Sequence, residues 1–156
     1  METVAPHAHL TVASRFESIE LVQAVVDDLL EQADLDSETR HWVGLAVREA
    51  VANAIKHGNL VDESKRVRIE ARVEATEVVV RITDQGPGFD LAEVKDPLAP
   101  ENLLRPGGRG IFYMRQLMDQ VDFRFGEDGG TEVVLKKTIP RRPANSTGSE
   151  EEKSAS

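Results

Sequence analysis

Near Lys65 the hydrophobic period of the sequence changes from that of helices to that of strands, and this change limits the folds that the chain can adopt. Beyond that point apolar residues alternate with polar ones, at Val67, Ile69, Ala71, Val73, Val78, Val80 and Ile82. Such alternation is typical of strands with one buried and one solvated face. Before it, apolar residues recur every three or four positions, which is the spacing of amphipathic helices. The chain therefore combines helices with a sheet that is covered on one face.

The other elements follow from the same patterns and from turn residues. An apolar stripe from Ile19 to Ala33 predicts a first helix. A second helix is expected from about Glu38 to His57, where Gly58-Asn59 is a stop signal. The remaining predictions are strands at His9–Ala13, Val121–Phe125 and Thr131–Leu135, the hairpin after Lys65, and a helix at Ile111–Asp119. This order predicts an α+β fold, a two-layer α/β sandwich with a mostly antiparallel sheet and helices on one face.

The chain divides into one domain and two terminal segments. Residues 1–8 lack a periodic pattern and are predicted to be a flexible N-terminus, and residues 9–139 form the domain. Residues 140–156 are rich in Ser, Pro and Glu and are predicted to be a disordered tail. Between Asp84 and Gly110 lies a segment rich in Gly, Pro and charge, which is long for a loop and therefore points to ligand binding.

Composition excludes several classes of function. The net charge of −9 argues against nucleic acid or an anionic membrane as a partner, because phosphate binding needs clustered positive charge. The absence of Cys excludes disulfides and thiolate metal sites. No apolar run is long enough for a spanning helix or forms a signal peptide, so a cytoplasmic protein is expected. His7 and His9 lie in a segment predicted to be loose and lack metal-ligand spacing, and Trp42 is expected in the core.

The second helix carries the first candidate site. Glu49 and Asn53 are four residues apart and share one face of a helix that is otherwise mostly apolar or small. One interpretation is a buried pair that is satisfied by nearby backbone, since unpaired buried polar groups are costly. The other is a metal-ligand Asn beside a general-base Glu, both lining a cleft. The helix by itself leaves both interpretations open.

The end of the hairpin carries the second candidate site. Alternation places Asp84 on the core side of its strand, where a carboxylate needs hydrogen-bond donors. Gly86 and Gly88 would allow the backbone to turn sharply and approach a ligand closely. Asp84 could accept a hydrogen bond from the amino group of a purine. A turn capped by the aspartate is the alternative.

A third candidate site precedes the last predicted helix. Gly107, Gly108 and Gly110 lead into the helix at Ile111, and free N–H groups at a helix N-terminus can bind an anion. Arg105 and Arg109 add positive charge that suits phosphate. A flexible linker with a helix cap is the alternative for such a stretch.

Together and in this order, the three candidate sites resemble the three nucleotide-site motifs of the ATP-binding fold that gyrase, histidine kinases and MutL share. Gly130-Thr131 resembles the last motif of that fold, and the match covers roughly residues 10 to 138. Within this superfamily the strings REAVANAIKHGN and GGRGIFYM look most like the anti-sigma-factor serine kinases of bacterial partner-switching systems.

The resemblance implies a role for each matching residue. Asn53 would coordinate Mg²⁺ and Glu49 would be the general base, while Asp84 and Thr131 would bind the adenine. Residues from about Asp90 to Pro106 would form a lid over the nucleotide. The further nucleotide-binding positions that the resemblance implies are Lys56, Gly86, Gly88, Arg105, Gly108, Arg109, Gly110 and Ile111. The cofactors would be ATP and Mg²⁺.

The same resemblance implies which proteins the chain acts on and leaves alternative functions open. A serine hydroxyl gains more from a neighbouring base than a histidine imidazole does, so Glu49 favours transfer to an alcohol or to water over transfer to histidine. The large gyrase-like ATPases, which transfer to water, carry a second domain for which this chain is expected to be too short. The expected substrate is a small anti-sigma-factor antagonist, and sequestration of a sigma factor and a homodimer stay open. Members of the family hold sigma factor partly through basic residues around the first helix, whereas residues 16–39 here contain no Lys or Arg. The alternatives are a nucleotide-dependent binding module and a detached histidine-kinase catalytic domain.

Overall fold

The computed structural model describes residues 5–87, 108–127 and 129–140. Five strands and three helices make up this part of the chain. The strands are β1 (His7–Ala13), β2 (Arg66–Val73), β3 (Glu77–Thr83), β4 (Gln120–Phe125) and β5 (Thr131–Thr138). The helices are α1 (Ser18–Gln32), α2 (Ser37–Asn53) and α3 (Gly108–Leu117), and α2 continues as a π-helical turn, Ala54–Gly58.

The strands form one sheet in the order β1-β2-β3-β5-β4, and every neighbouring pair is antiparallel. The connections β2–β3 and β4–β5 are hairpins, and β5 lies between β3 and β4. Ile69 pairs with Ile82, which in turn pairs with Val133, so one row of apolar side chains crosses three strands. This arrangement confirms the predicted α+β sandwich with an antiparallel sheet.

The core lies between the sheet and the three helices. Alternate residues of β2 are buried, and they pack in one cluster with the inner sides of α1 and α2 and with Met114 and Met118 at α3. The side chains with the largest fully buried volumes are Leu30, Ile55, Ile69, Ile82, Met114 and Leu135. Aliphatic residues therefore build this core, which agrees with the low aromatic content of 4%.

Two details differ from the sequence predictions. Strand β1 begins at His7, two residues earlier than predicted, because His7 to Ala13 pair with Arg72 to Arg66 of β2. His7 and His9 therefore belong to the sheet. The expectation that Trp42 lies in the core is wrong, since 36% of this residue is exposed. The apolar face of α2 passes through Val43, Ala46 and Ala50, and Trp42 precedes that stripe by one position.

Candidate functional site: a nucleotide pocket at the end of strand β3

Helix α2 presents Glu49 and Asn53 on one side of the domain. At 1.5 Å of rise per residue, their Cα atoms lie about 6 Å apart along the helix axis. Both residues are half-buried. Among the described residues neither side chain has a hydrogen-bond partner, so the buried, backbone-satisfied pair is not what the structure shows. Both groups remain available to a ligand.

After Asn53 the helix widens into the π-helical turn Ala54–Gly58, a feature that is often found at functional sites. Lys56 lies in this turn and is exposed. His57 is half-buried, and its Nε2 atom is buried without a partner in the described part of the chain. Burial, and then the charge of Lys56, lower the pKa of His57, which keeps the imidazole neutral at physiological pH.

Asp84 follows β3 directly and is 6% exposed. Its Oδ1 atom accepts hydrogen bonds from the backbone N–H groups of Gly86 and Thr131, at 3.0 and 3.1 Å. Its Oδ2 atom accepts none from the described residues. Burial raises the pKa of this carboxyl, and the two backbone hydrogen bonds and the charge of Lys65 partly offset that rise. One oxygen is thus fixed by the protein, and the other is left for a donor.

Glycine backbone surrounds this carboxylate so closely that side chains would not fit. A Cβ atom at Gly58 would overlap Oδ2 of Asp84, and a Cβ atom at Gly86 would overlap the carbonyl of Gly58. Gly130 has a φ of +81° and donates its N–H to the carbonyl of Gly86 at 2.6 Å. The turn after α2, the turn after β3 and the start of β5 therefore converge on Asp84.

Asn59 holds this arrangement together and was missed by the sequence analysis, which treated it only as a helix stop signal. Its side chain is fully buried, donates to the carbonyl of Arg66 at 3.0 Å and accepts from the N–H of Gln85 at 2.8 Å. Gln85 in turn accepts from the N–H of Arg66 at 2.7 Å. These bonds fix the end of α2 to the start of β2 and to the residue after Asp84.

Thr131 completes the pocket as far as the structure describes it. It is 2% exposed, and its Oγ1 atom is buried without a partner among the described residues. Because buried hydroxyls are normally hydrogen-bonded, such an atom beside Asp84 suits a polar ligand. Asp84, Gly86 and Thr131 are therefore brought together, as the sequence predicts.

The remaining predicted residues lie at the start of α3 or outside the described ranges. Gly108, Arg109, Gly110 and Ile111 form the first turn of α3, three residues earlier than the predicted helix start, and α3 packs on α2. Gly88, Arg105 and the predicted lid from Asp90 to Pro106 lie outside the described residues. The same holds for the predicted tail after Pro140, so those predictions stay predictions.

The residues present fit an adenine nucleotide. An unpartnered carboxylate oxygen, an orphaned hydroxyl and a cradle of glycines offer acceptors and close backbone approach at one point. The part of the chain that the structure describes contains no group of three His, Asp or Glu side chains able to hold a metal by themselves. A Mg²⁺ ion would therefore depend on nucleotide phosphates, water and the Asn53 carboxamide, and Mg²⁺ usually takes few protein ligands.

Comparisons with known proteins agree with this geometry. The family model of the histidine kinase-like ATPase domain matches residues 12–137. An anti-sigma F factor of Clostridium perfringens is 34% identical over 134 residues, which span 83% of this chain and 94% of that protein. The serine-protein kinase RsbW of Listeria innocua is 28% identical over 145 residues, 89% of this chain and 91% of that protein.

A solved structure shares the fold. The RsbU and RsbW domains of a Mycobacterium tuberculosis protein superpose with a TM-score of 0.64 at 19% identity, over 90% of this chain and 35% of that one. Across the described ranges no helix combines the length and the apolar character needed to cross a bilayer.

Proposed function

This chain belongs to the histidine kinase-like ATPase family, and on that premise we propose that it is an ATP-dependent serine kinase of a partner-switching system. Its substrate would be a small antagonist protein in the cytoplasm, with neither nucleic acid nor membrane as a partner. The printed names of the relatives, anti-sigma F factor and serine-protein kinase, support this activity. The observation that carries it here is Glu49, half-exposed without a partner among the described residues and one helical turn before Asn53.

Most of the proposed site residues would bind the nucleotide, and Glu49 would take part in the chemical step. Asp84 would accept a hydrogen bond from the adenine amino group through Oδ2, and Thr131 would supply a second polar contact. Glycine backbone at positions 86, 88, 108 and 110 would approach the nucleotide closely. The phosphates would be bound by Lys56, Arg105, Arg109 and the N–H of Ile111. Asn53 would hold Mg²⁺ through its carboxamide oxygen.

Bound Mg-ATP supplies the γ-phosphoryl group. Glu49 would accept the proton of the substrate serine while that hydroxyl oxygen bonds to phosphorus and the bond to the leaving ADP oxygen breaks. A histidine acceptor has a lone pair and needs this base less, which disfavours the histidine-kinase alternative.

The test is single-turnover transfer from labelled Mg-ATP to small serine-bearing proteins that are encoded beside the gene. Glu49→Gln keeps size and hydrogen bonding but cannot take the proton, so transfer should fall about 100- to 10,000-fold while ADP affinity changes little. Glu20→Gln on the exposed side of α1 is the matched control and should transfer at the wild-type rate. Wild-type speed in Glu49→Gln would contradict the role of Glu49, and a wild type that binds ATP yet transfers nothing would favour the binding module.

Sequestration of a sigma factor is the second candidate function, because one relative is named an anti-sigma factor. Helix α1 exposes Glu17, Glu20, Asp28 and Glu31 in place of basic residues, so the contacts would differ in charge from those that the family resemblance implies. Co-purification with the sigma factors of the same organism, with ADP and with ATP, tests this function. We also propose a homodimer, and gel filtration of the protein alone would test it by giving the oligomeric state.

A further inference from the structure

The face of α2 that carries Glu49 and Asn53 continues toward the start of the helix. At 100° per residue, Trp42 and Leu45 fall within about 40° of Glu49, so all four side chains lie on one stripe. Glu38 begins this stripe near the start of α2. The polar pair of the candidate site is therefore adjacent to an apolar surface on the same helix.

Trp42 is the exposed part of this surface. Of the six large apolar side chains that are most exposed in the described part of the chain, it is the only one on α2. Its Nε1 atom donates to Oε1 of Glu38 at 3.3 Å, and its ring meets that of His41 edge to face at 5.4 Å. Leu45 is half-buried beside it. The indole thus lies at the surface, and its hydrogen bond and ring contact are made with Glu38 and His41 of the same helix.

A partly exposed tryptophan such as Trp42 is typical of protein–protein interfaces. Tryptophan is enriched among the residues that dominate interface energetics, because its large apolar ring is combined with a polar N–H group. Trp42 precedes Glu49 by seven residues, which is about 10 Å along the helix axis. The reacting hydroxyl of a protein that offers a serine to Glu49 would thus lie about 10 Å along α2 from Trp42.

We propose that Trp42 and Leu45 form the docking platform for the protein substrate of the kinase. The partner places an apolar side chain on Trp42 about 10 Å from its reacting serine hydroxyl, which equals about three residues of extended chain. A donor or cation of the partner meets the carboxylate of Glu38, which fits the negative charge of this chain. This inference rests on the proposed function, because it takes the phosphorylated protein as the occupant.

Trp42 is the only tryptophan of the chain, so its fluorescence reports on docking directly. Acrylamide quenching of the Trp42 fluorescence is measured in the full-length protein alone and with a saturating amount of the serine-bearing antagonist. The antagonist is used as a variant without tryptophan, so that only Trp42 contributes to the signal. The quenching constant should fall at least twofold on binding, with a blue shift of the emission. Unchanged quenching in a complex that sedimentation shows to be formed would overturn the proposal.

Kinetics give the second measurement. Trp42→Ala should raise KM for the antagonist about 10-fold or more and leave ADP affinity unchanged, and Trp42→Phe should restore most of the loss. Leu21→Ala is the matched control, because Leu21 is an apolar side chain that is 55% exposed on α1. An unchanged KM in Trp42→Ala would contradict the platform. A wild type that binds the antagonist without phosphorylating it would refute the kinase function alone, since quenching still decides where the partner docks.

Discussion

Replacing Asp84 by Asn separates the two tasks of this carboxylate, because the change preserves shape and removes charge. Oδ1 of Asp84 accepts two backbone N–H bonds, so an asparagine must direct its carbonyl oxygen to that position. The amide nitrogen then takes the place of Oδ2. A donor thus faces the adenine amino group, which is also a donor, and the contact is lost.

The expected loss of affinity follows from the hydrogen bond that disappears. A hydrogen bond to a charged buried group contributes about 1.5–3 kcal/mol, which corresponds to an ADP affinity that is about 10- to 150-fold weaker. Titration calorimetry with ADP on the folded variant measures it directly. Unchanged affinity in a variant with a wild-type circular dichroism spectrum would remove Asp84 from the adenine site.

Stability should respond in the opposite direction. Because burial raises the pKa of Asp84, the folded protein holds this proton more tightly than the unfolded chain does. The charged carboxylate therefore lowers stability above the raised pKa, and this cost disappears as the pH falls toward the ordinary value of 3.8. Urea unfolding of ligand-free protein should show Asp84→Asn at least as stable as wild type at pH 7. The difference between the two should decline toward pH 4, and a difference that grows on acidification would refute the argument.

Two further substitutions test the metal position and the glycine cradle. Asn53→Ala should abolish the Mg²⁺ dependence of ATP binding and leave the urea midpoint nearly unchanged, and transfer at the wild-type rate would contradict the metal assignment. Gly58→Ala should destabilise the fold and weaken ADP binding, since the new methyl group overlaps Asp84. Gly44→Ala is its control, because no atom lies within 4 Å of a Cβ at Gly44 and the change removes a mid-helix glycine, which should add about 0.5–1 kcal/mol. If Gly44→Ala lost as much stability as Gly58→Ala, the predicted overlap between the methyl group at position 58 and Asp84 would be refuted.

The sequence predicted the elements because local patterns determine them. Alternation in β2 and β3 identified the buried face and with it Asp84, which is indeed buried. Contacts between distant segments leave no comparable pattern. Asn59 resembled an ordinary helix stop, and its bond to Gln85 spans 26 positions in the sequence. The prediction for Trp42 is wrong because its exposure follows its position on the helix, one residue outside the apolar stripe, and not its residue type.

The position of β5 inside the sheet has a consequence for biosynthesis. As the chain leaves the ribosome, β1, β2 and β3 can pair in sequence order, but the edge of β3 stays open until β5 has emerged. Asp84 is made early and receives the N–H of Thr131, 47 positions later, only when that strand has inserted. The surroundings of Asp84, where we propose that adenine binds, are therefore among the last features to form, and a nascent chain that has not yet produced β5 lacks the contact with Thr131.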